Sequence, residues 1–303
     1  MKLIDFSPLH DVLLRNQDGS LRPMDEPYYE ATQIAPNTWC VLSDGDFSYL
    51  VVGDEEGIVI DSGAGAGNLQ EYMQTLTDKP VRKIANTHHH FDHTANNWYF
   101  DTVYMAKEGV ELATIPFKSF AGIVFPRDYH VEVIKDGDVL HLGGRDLEVF
   151  AMPDHAISSL VYLDRKARIL FVGDELSNHG KDLSGSVQNF ADQLERLMQY
   201  RGEFDHLCGG SDAMISADYV DRYLENCKQI LAGKEGKPFE RRKPPMGKGP
   251  KPQEEGGPII YDRKKPRPVD RGTVGGPDTS RDQYLRVMEY ADVSITYDMR
   301  NVR

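Results

Sequence analysis

A layered α/β fold is predicted for this 303-residue chain, and three observations carry the prediction. β-rich runs pair off around tight turns, short apolar strands lead directly into helical segments, and two longer stretches hold apolar residues at helical spacing. That mixture argues against a pure parallel sheet. Along the chain, Thr38 to Leu42 and Phe47 to Val52 flank Ser43-Asp44-Gly45-Asp46 and read as a hairpin. GIVID ends in Asp61-Ser62-Gly63, and NLQEYMQTL follows with helical spacing and Asn68 available as its cap. RKIANT, LEVFAM, SLVYLD and ARILFVGDEL read as strands, the last of them buried. Helices are expected from Gln188 to Tyr200 and from Ala217 to Leu231. The periodic segment RDQYLRVMEYA reads as a further helix, followed by a strand in VSITYDM.

Composition narrows the function classes. Hydrophobic residues make up 40% and aromatics 10%, enough for a substantial core, so global disorder is excluded. Lys and Arg number 35 against 48 Asp and Glu, a net charge of −13, which argues against sequence-independent nucleic-acid binding. No run approaches the ~18 apolar residues of a membrane span. The opening residues carry no apolar stretch of signal-peptide length, so a cytoplasmic protein is expected. Cys40, Cys208 and Cys227 are too few and too widely spaced for a disulfide framework.

The charge is uneven. Lys234 to Asp282 holds 13 Lys or Arg, 8 Asp or Glu, nine prolines and eight glycines, leaving that arm at +5 and the rest at −18. A stretch such as RRKPPMGKGPKPQEEGGP cannot form a packed helix or a central strand. The expected organisation is an N-terminal extension (1–33), a main domain (34–232), the basic arm (233–282), and a helix and strand (283–303) packing on the main domain. The arm is read either as a solvated linker or as a strap on the acidic body of its own or a neighbouring subunit, which would make it a homo-oligomer contact.

The segment ANTHHHFDHTANN concentrates the chemistry. His88, His89, His90 and His93 lie within six positions, with Asp92 among them. His88 and His90 are two apart and leave an extended backbone on the same side, whereas His89 points away. Asp92 and His93 follow where the chain turns toward a helix, placed for a second ion. Imidazole and carboxylate are the usual ligands of zinc and related divalent ions.

With this His-x-His-x-Asp-His turn the chain resembles the metallo-β-lactamase superfamily. The resemblance runs from about Ile34 to Leu231 and implies an αββα sandwich, here with a Pro/Gly/Lys-rich C-terminal extension. It implies that Asp61, at the end of VIDSG, buttresses the metal loop. It places His155 of MPDHAISSL as the third ligand beside His88 and His90, and Asp174 of LFVGDEL as the bridging ligand. Asp92 and His93 would complete the second site with Asp174. Two departures stand out. Asp154 replaces a usual glycine before His155, and Gly210 in FDHLCGGSDAMIS stands where the family carries its last histidine ligand. Among His206, Cys208 and Asp212, Asp212 is the best substitute because carboxylates suit such sites.

What the resemblance implies is a metallo-hydrolase using a metal-bound hydroxide on an ester, thioester, lactone or amide, with a small-molecule substrate. Zinc, as one or two ions, is the expected cofactor, and iron or manganese are the alternatives. Asp92 is expected to act as the general base even at a one-metal site. A mononuclear-iron oxidoreductase acting on a sulfur compound is the competing enzyme class, and a non-catalytic binding protein with a decayed second site is the third reading. His10, His130 and His141 are isolated and read as ordinary polar residues, while His179 deserves a check because it follows Asp174 closely. Phe117, Phe120, Phe125 and Tyr129 either line an apolar pocket or form a small cap. GAGAG lacks the lysine of a phosphate loop and is not a nucleotide site.

Overall fold

The computed structural model describes residues 4–6, 12–15, 18–23, 26, 28–43, 46–116, 122–241, 259–262 and 279–303. Most of the basic arm lies outside them, as do Phe117, Phe120 and the Asp44-Gly45 turn. β1 (Val12–Arg15) and β2 (Leu21–Pro23) form a short antiparallel pair. β3 (Tyr29–Ala35), β4 (Thr38–Ser43), β5 (Asp46–Val52), β6 (Gly57–Ile60), β7 (Val81–Ala85), β8 (Thr102–Met105) and β9 (Val131–Val133) then lie side by side in one seven-stranded sheet. Its strands are antiparallel up to β6 and parallel from β6 to β9. α1 (Leu69–Gln74) links β6 to β7, and the short α2 (Phe91–Thr94) follows β7.

The second half repeats the plan. β10 (Val139–His141), β11 (Asp146–Ala151), β12 (Leu160–Asp164) and β13 (Ile169–Gly173) precede β14 (Lys181–Asp182) and α3 (Val187–Met198). β15 (His206–Gly209), β16 (Ile215–Ser216) and α4 (Asp218–Leu231) come next. The second sheet has the order β10-β11-β12-β13-β15-β16, with β15 parallel to β13. β17 (Lys237–Pro238), β18 (Ile259–Asp262), β19 (Leu285–Tyr290) and β20 (Val293–Asp298) complete the described chain. A small sheet of order β14-β20-β19-β17 sits at the side, and β18 runs parallel to β1.

Residue parity within the strands builds the layers. In β5, Tyr49 and Val51 join one core while Leu50 and Val52 join another. In β13, Ile169 and Phe171 share the core of Tyr49 and Val51, whereas Leu170 and Val172 pack toward α3 and α4. Strands buried on both faces need this alternation between two apolar environments, and it yields one core between the sheets and one outside each. The result is the expected αββα sandwich. α3 presents Val187, Phe190, Ala191, Leu194 and Leu197 to its sheet, and Ser186 caps it by accepting from the Asn189 N–H at 3.1 Å. α1 is capped by Asn68, as its sequence suggests.

Three boundaries differ from the sequence reading. β3 starts at Tyr29, so the last part of the expected N-terminal extension belongs to the first sheet, and Ile4 and Phe6 are buried in its outer core. The expected arm contributes β17 and β18 to sheet edges. Leu285–Tyr290, expected as a helix, is a strand. LRVMEY pairs residue for residue with VSITYD across a turn at Ala291, whose φ is 49°. Met288, Val293, Ile295 and Tyr297 bury their side chains in the core under α4, and this tertiary burial overrides the local periodicity.

Candidate metal centre

The histidine segment sits where the parallel strands of the first sheet end, opposite the ends of β11 and β13 in the second. Ligand atoms of His88, His90 and His155 lie within 4.8 Å of one another, and so do those of His88, His93 and Asp174. His90 Nδ1 and His155 Nε2 approach to 2.9 Å. Asp174 stands between the clusters, with Oδ2 3.6 Å from His155 Nε2 and Oδ1 3.6 Å from His93 Nε2. Two further residues of the predicted set are outside these two groups of ligand atoms. Asp92 is buried in the first turn of α2 but belongs to neither cluster. Asp212 also belongs to neither, because its carboxylate accepts the Asn178 N–H at 3.1 Å and faces His179 Nε2 at 3.3 Å.

Gly210 lies directly against the second cluster. A Cβ there would come 2.5 Å from Asp174 Oδ1 and 2.7 Å from His93 Cε1. Any side chain at this position would force both residues to move.

Asp61 holds the loop from behind. Its backbone is left-handed, with φ 58°, a strained conformation for a non-glycine residue. The turned carboxylate accepts the Thr87 N–H and the Thr87 hydroxyl, each at 2.7 Å, and faces His93 Nδ1 at 2.8 Å. Thr87 Oγ1 is in turn 3.1 Å from His88 Nδ1. With their Nδ1 atoms so engaged, His88 and His93 aim Nε2 into the site. Both Nε2 atoms are buried without a hydrogen-bond partner, which a divalent ion would satisfy. His89 points away as expected and pairs its Nδ1 with Ser158 Oγ at 2.7 Å.

The electrostatics divide the histidines. Burial, then the charge of His93, holds His88 well below the ordinary imidazole value. Burial and the neighbouring imidazoles push His90 down to about 3, and burial lowers His155. These three are neutral at pH 7 with lone pairs free, as metal ligands must be. His93 behaves oppositely. Burial opposes its charge, but the carboxylates of Asp61 and Asp174 outweigh burial and raise it well above the ordinary value. Burial would likewise raise Asp174, yet His93, His88 and His155 hold it far below the usual carboxylate range. An ion on His93 and Asp174 would have to displace that proton.

Several supporting residues carried no sequence signal. The Tyr162 hydroxyl donates to Asn86 O at 2.6 Å and the Tyr49 hydroxyl to Gly209 O at 2.7 Å, so two core tyrosines anchor the loops on either side of the site. Glu175 accepts the His155 N–H at 2.8 Å and meets the buried Lys181. A cavity of about 220 Å³ beside the clusters is lined by His155, Asp174, His179, Lys181, Ser211 and Asp212. His179 therefore borders the site, whereas Phe125 packs inward against Phe91 at 4.7 Å and forms core.

Residues 44–216 match the profile of the Metallo-beta-lactamase superfamily. The acyl-coenzyme A thioesterase MBLAC2 of Bos taurus is 31% identical over 240 residues, which cover 67% of this chain and 82% of that protein. A hydroxyacylglutathione hydrolase of Maricaulis maris is 36% identical over 126 residues, 39% of this chain and 43% of that one. In fold, the chain resembles a metallo-beta-lactamase from Pontibacter korlensis, with a TM-score of 0.53, 18% identity, and coverage of 66% of this chain and 99% of the other.

Proposed function

The chain belongs to the metallo-beta-lactamase superfamily, and from that membership we propose that it is a metal-dependent hydrolase of acyl thioesters. The observation that carries the reading is the pairing of an unpartnered, buried His88 Nε2 with two more neutral imidazoles, in a chain whose relatives are named as an acyl-coenzyme A thioesterase and a hydroxyacylglutathione hydrolase. His88, His90 and His155 would hold the first ion; His93 and Asp174 would contribute to a second. When bound, a divalent ion at such a site lowers the pKa of water toward ~7 and polarises a carbonyl.

The chain's own residues supply the rest. Asp61 and Thr87 fix the rings of His93 and His88, so little reorganisation is left for the reaction. Asp92 is assigned the proton of the attacking water, which it would accept on its carboxylate. The departing thiol has an ordinary pKa of about 8.5, so it leaves as thiolate without a dedicated acid. The 220 Å³ cavity would receive the thioester group, with His179 and Ser211 at its wall. Small-molecule thioesters are the substrate class, and zinc is the ion we assign.

Release of free thiol from acyl-coenzyme A and S-acylglutathione, followed with a thiol reagent on protein of measured metal content, tests this. Turnover that disappears with a chelator and returns with zinc is expected. Absence of thiol release from both classes at full metal loading would overturn the assignment, and a single iron with oxygen uptake would replace it with oxidoreductase chemistry.

A further inference from the structure

Behind His155 lies a buried charge cluster that the reaction does not use. Glu175, next to the bridging Asp174, is 1% exposed, and its Oε1 accepts the His155 N–H at 2.8 Å and the Asp154 N–H at 3.2 Å. Its Oε2 lies 2.5 Å from Lys181 Nζ, which also reaches Asp154 Oδ2 at 3.1 Å. Asp154 in turn accepts the Gly185 N–H at 2.9 Å and the Ser184 N–H at 3.4 Å. Lys181 lies over the Phe190 ring at 5.4 Å, sealed from water.

Three charges without solvent are costly to bury, and well-packed apolar residues would commonly serve stability as well or better. What an apolar cluster cannot do is fix one backbone turn through directed acceptors. The turn fixed here is the one that carries His155. Lys181 is itself held, because β14 pairs in parallel with β20, Lys181 opposite Ile295 and Asp182 opposite Thr296. The Leu183 N–H continues that ladder to Thr296 O at 2.9 Å.

We infer that Glu175 is a positioning residue for the third metal ligand, that Lys181 holds Glu175 in place, and that the β19–β20 hairpin holds Lys181 behind the turn that bears His155. The inference rests on reading His155 as a ligand and is independent of the substrate. Glu175→Met removes the two acceptor contacts but leaves Lys181 and Asp154 as a neutral pair, so the fold is expected to persist. Glu175→Gln keeps an acceptor oxygen.

The test uses the full chain, with cobalt(II) affinity measured by competition against a chromophoric chelator, together with the visible cobalt spectrum and the metal-free unfolding midpoint. Glu175→Met is expected to weaken binding about tenfold or more and to change the spectrum, with Glu175→Gln restoring both to within about threefold. Wild-type affinity and spectrum in Glu175→Met, whatever its midpoint, overturn the inference. So does a Glu175→Gln protein as weak as Glu175→Met. If Glu175→Met does not fold, Glu175→Met/Lys181→Met/Asp154→Asn, which removes all three charges together, is read by the same two outcomes. His155→Ala separates the premise: unchanged affinity there removes His155 as a ligand, whereas a loss in His155→Ala without one in Glu175→Met removes only the inference.

Discussion

Strands β11 and β12 carry a buried polar cluster at each end. At the end away from the histidines, Arg145 donates from Nε to Asp164 at 2.9 Å, from Nη1 to Asn37 O at 2.9 Å and Val52 O at 3.1 Å, and from Nη2 to Thr38 Oγ1 at 2.6 Å and to Asp164. Asp164 Oδ1 takes the N–H groups of Lys166 and Ala167 at 3.0 and 3.1 Å. Each guanidinium nitrogen has an acceptor. At the opposite end, His88 Nε2 is equally buried and has no hydrogen-bond partner, and His93 Nε2 reaches only Asp174 Oδ1, at 3.6 Å. Both clusters tie one sheet to the other, so the difference lies in completeness. A saturated cluster has no valence left and serves the fold, while one that leaves a buried imidazole nitrogen without a partner has a valence to offer an incoming ion.

Substitutions should separate the two ends. The largest effect is expected for His90→Ala, where thioester turnover should fall about a thousandfold, a barrier increase of about 4 kcal/mol. The urea midpoint of its metal-free form should move little. Arg145→Met should do the reverse, costing about 3–5 kcal/mol in urea unfolding because Asp164 is left buried and unpaired. Zinc content per folded chain should be unchanged. A fall in both quantities for either variant would dissolve the distinction.

Asp61→Asn tests the link between the clusters and the framework behind them. Weakening the fixation of Thr87 and His93 should reduce zinc affinity about 10- to 100-fold, read by chelator competition, with a smaller change in unfolding midpoint. The smallest effect concerns pH. Because His88, His90 and His155 are depressed below the ordinary value of about 6.5, protons compete for their lone pairs only as the pH falls toward those lowered values. Affinity at this cluster should therefore change less than about threefold between pH 7.5 and 6.0, whereas ordinary imidazoles would weaken steeply across that range. A steep loss would mean that these rings are hydrated.

How legible all this was depended on sequence distance. The candidate ligands of the loop after β7 announce themselves because four imidazoles and a carboxylate fall within six positions at the end of an apolar strand. His155 and Asp174 were readable only through resemblance, since nothing local marks one histidine or one aspartate as a ligand. Glu175, Lys181, Tyr49 and Tyr162 were silent for a physical reason: each acts through hydrogen bonds or ion pairs to residues on other elements, and such pairings leave no period. The strand parity of β5 and β13 was legible as apolar runs, but the division into three cores became visible only with both sheets in place. Leu285–Tyr290 misled because its apolar spacing suits a helix until VSITYD is there to pair with it.

The pairing of β14 with β20 also sets an order of events during synthesis. Lys181 is synthesised more than a hundred residues before its partner Ile295. The second sheet is complete at Ser216, so at about 5–20 residues per second roughly 4 to 16 seconds remain in which both sheets can close while the turn bearing His155 lacks its strap. A nascent chain in that interval would present the histidine cluster with one wall unfinished. Metal affinity is therefore expected to rise once the β19–β20 hairpin docks, and a ribosome-stalled chain ending before β20 should bind cobalt(II) more weakly than the released protein.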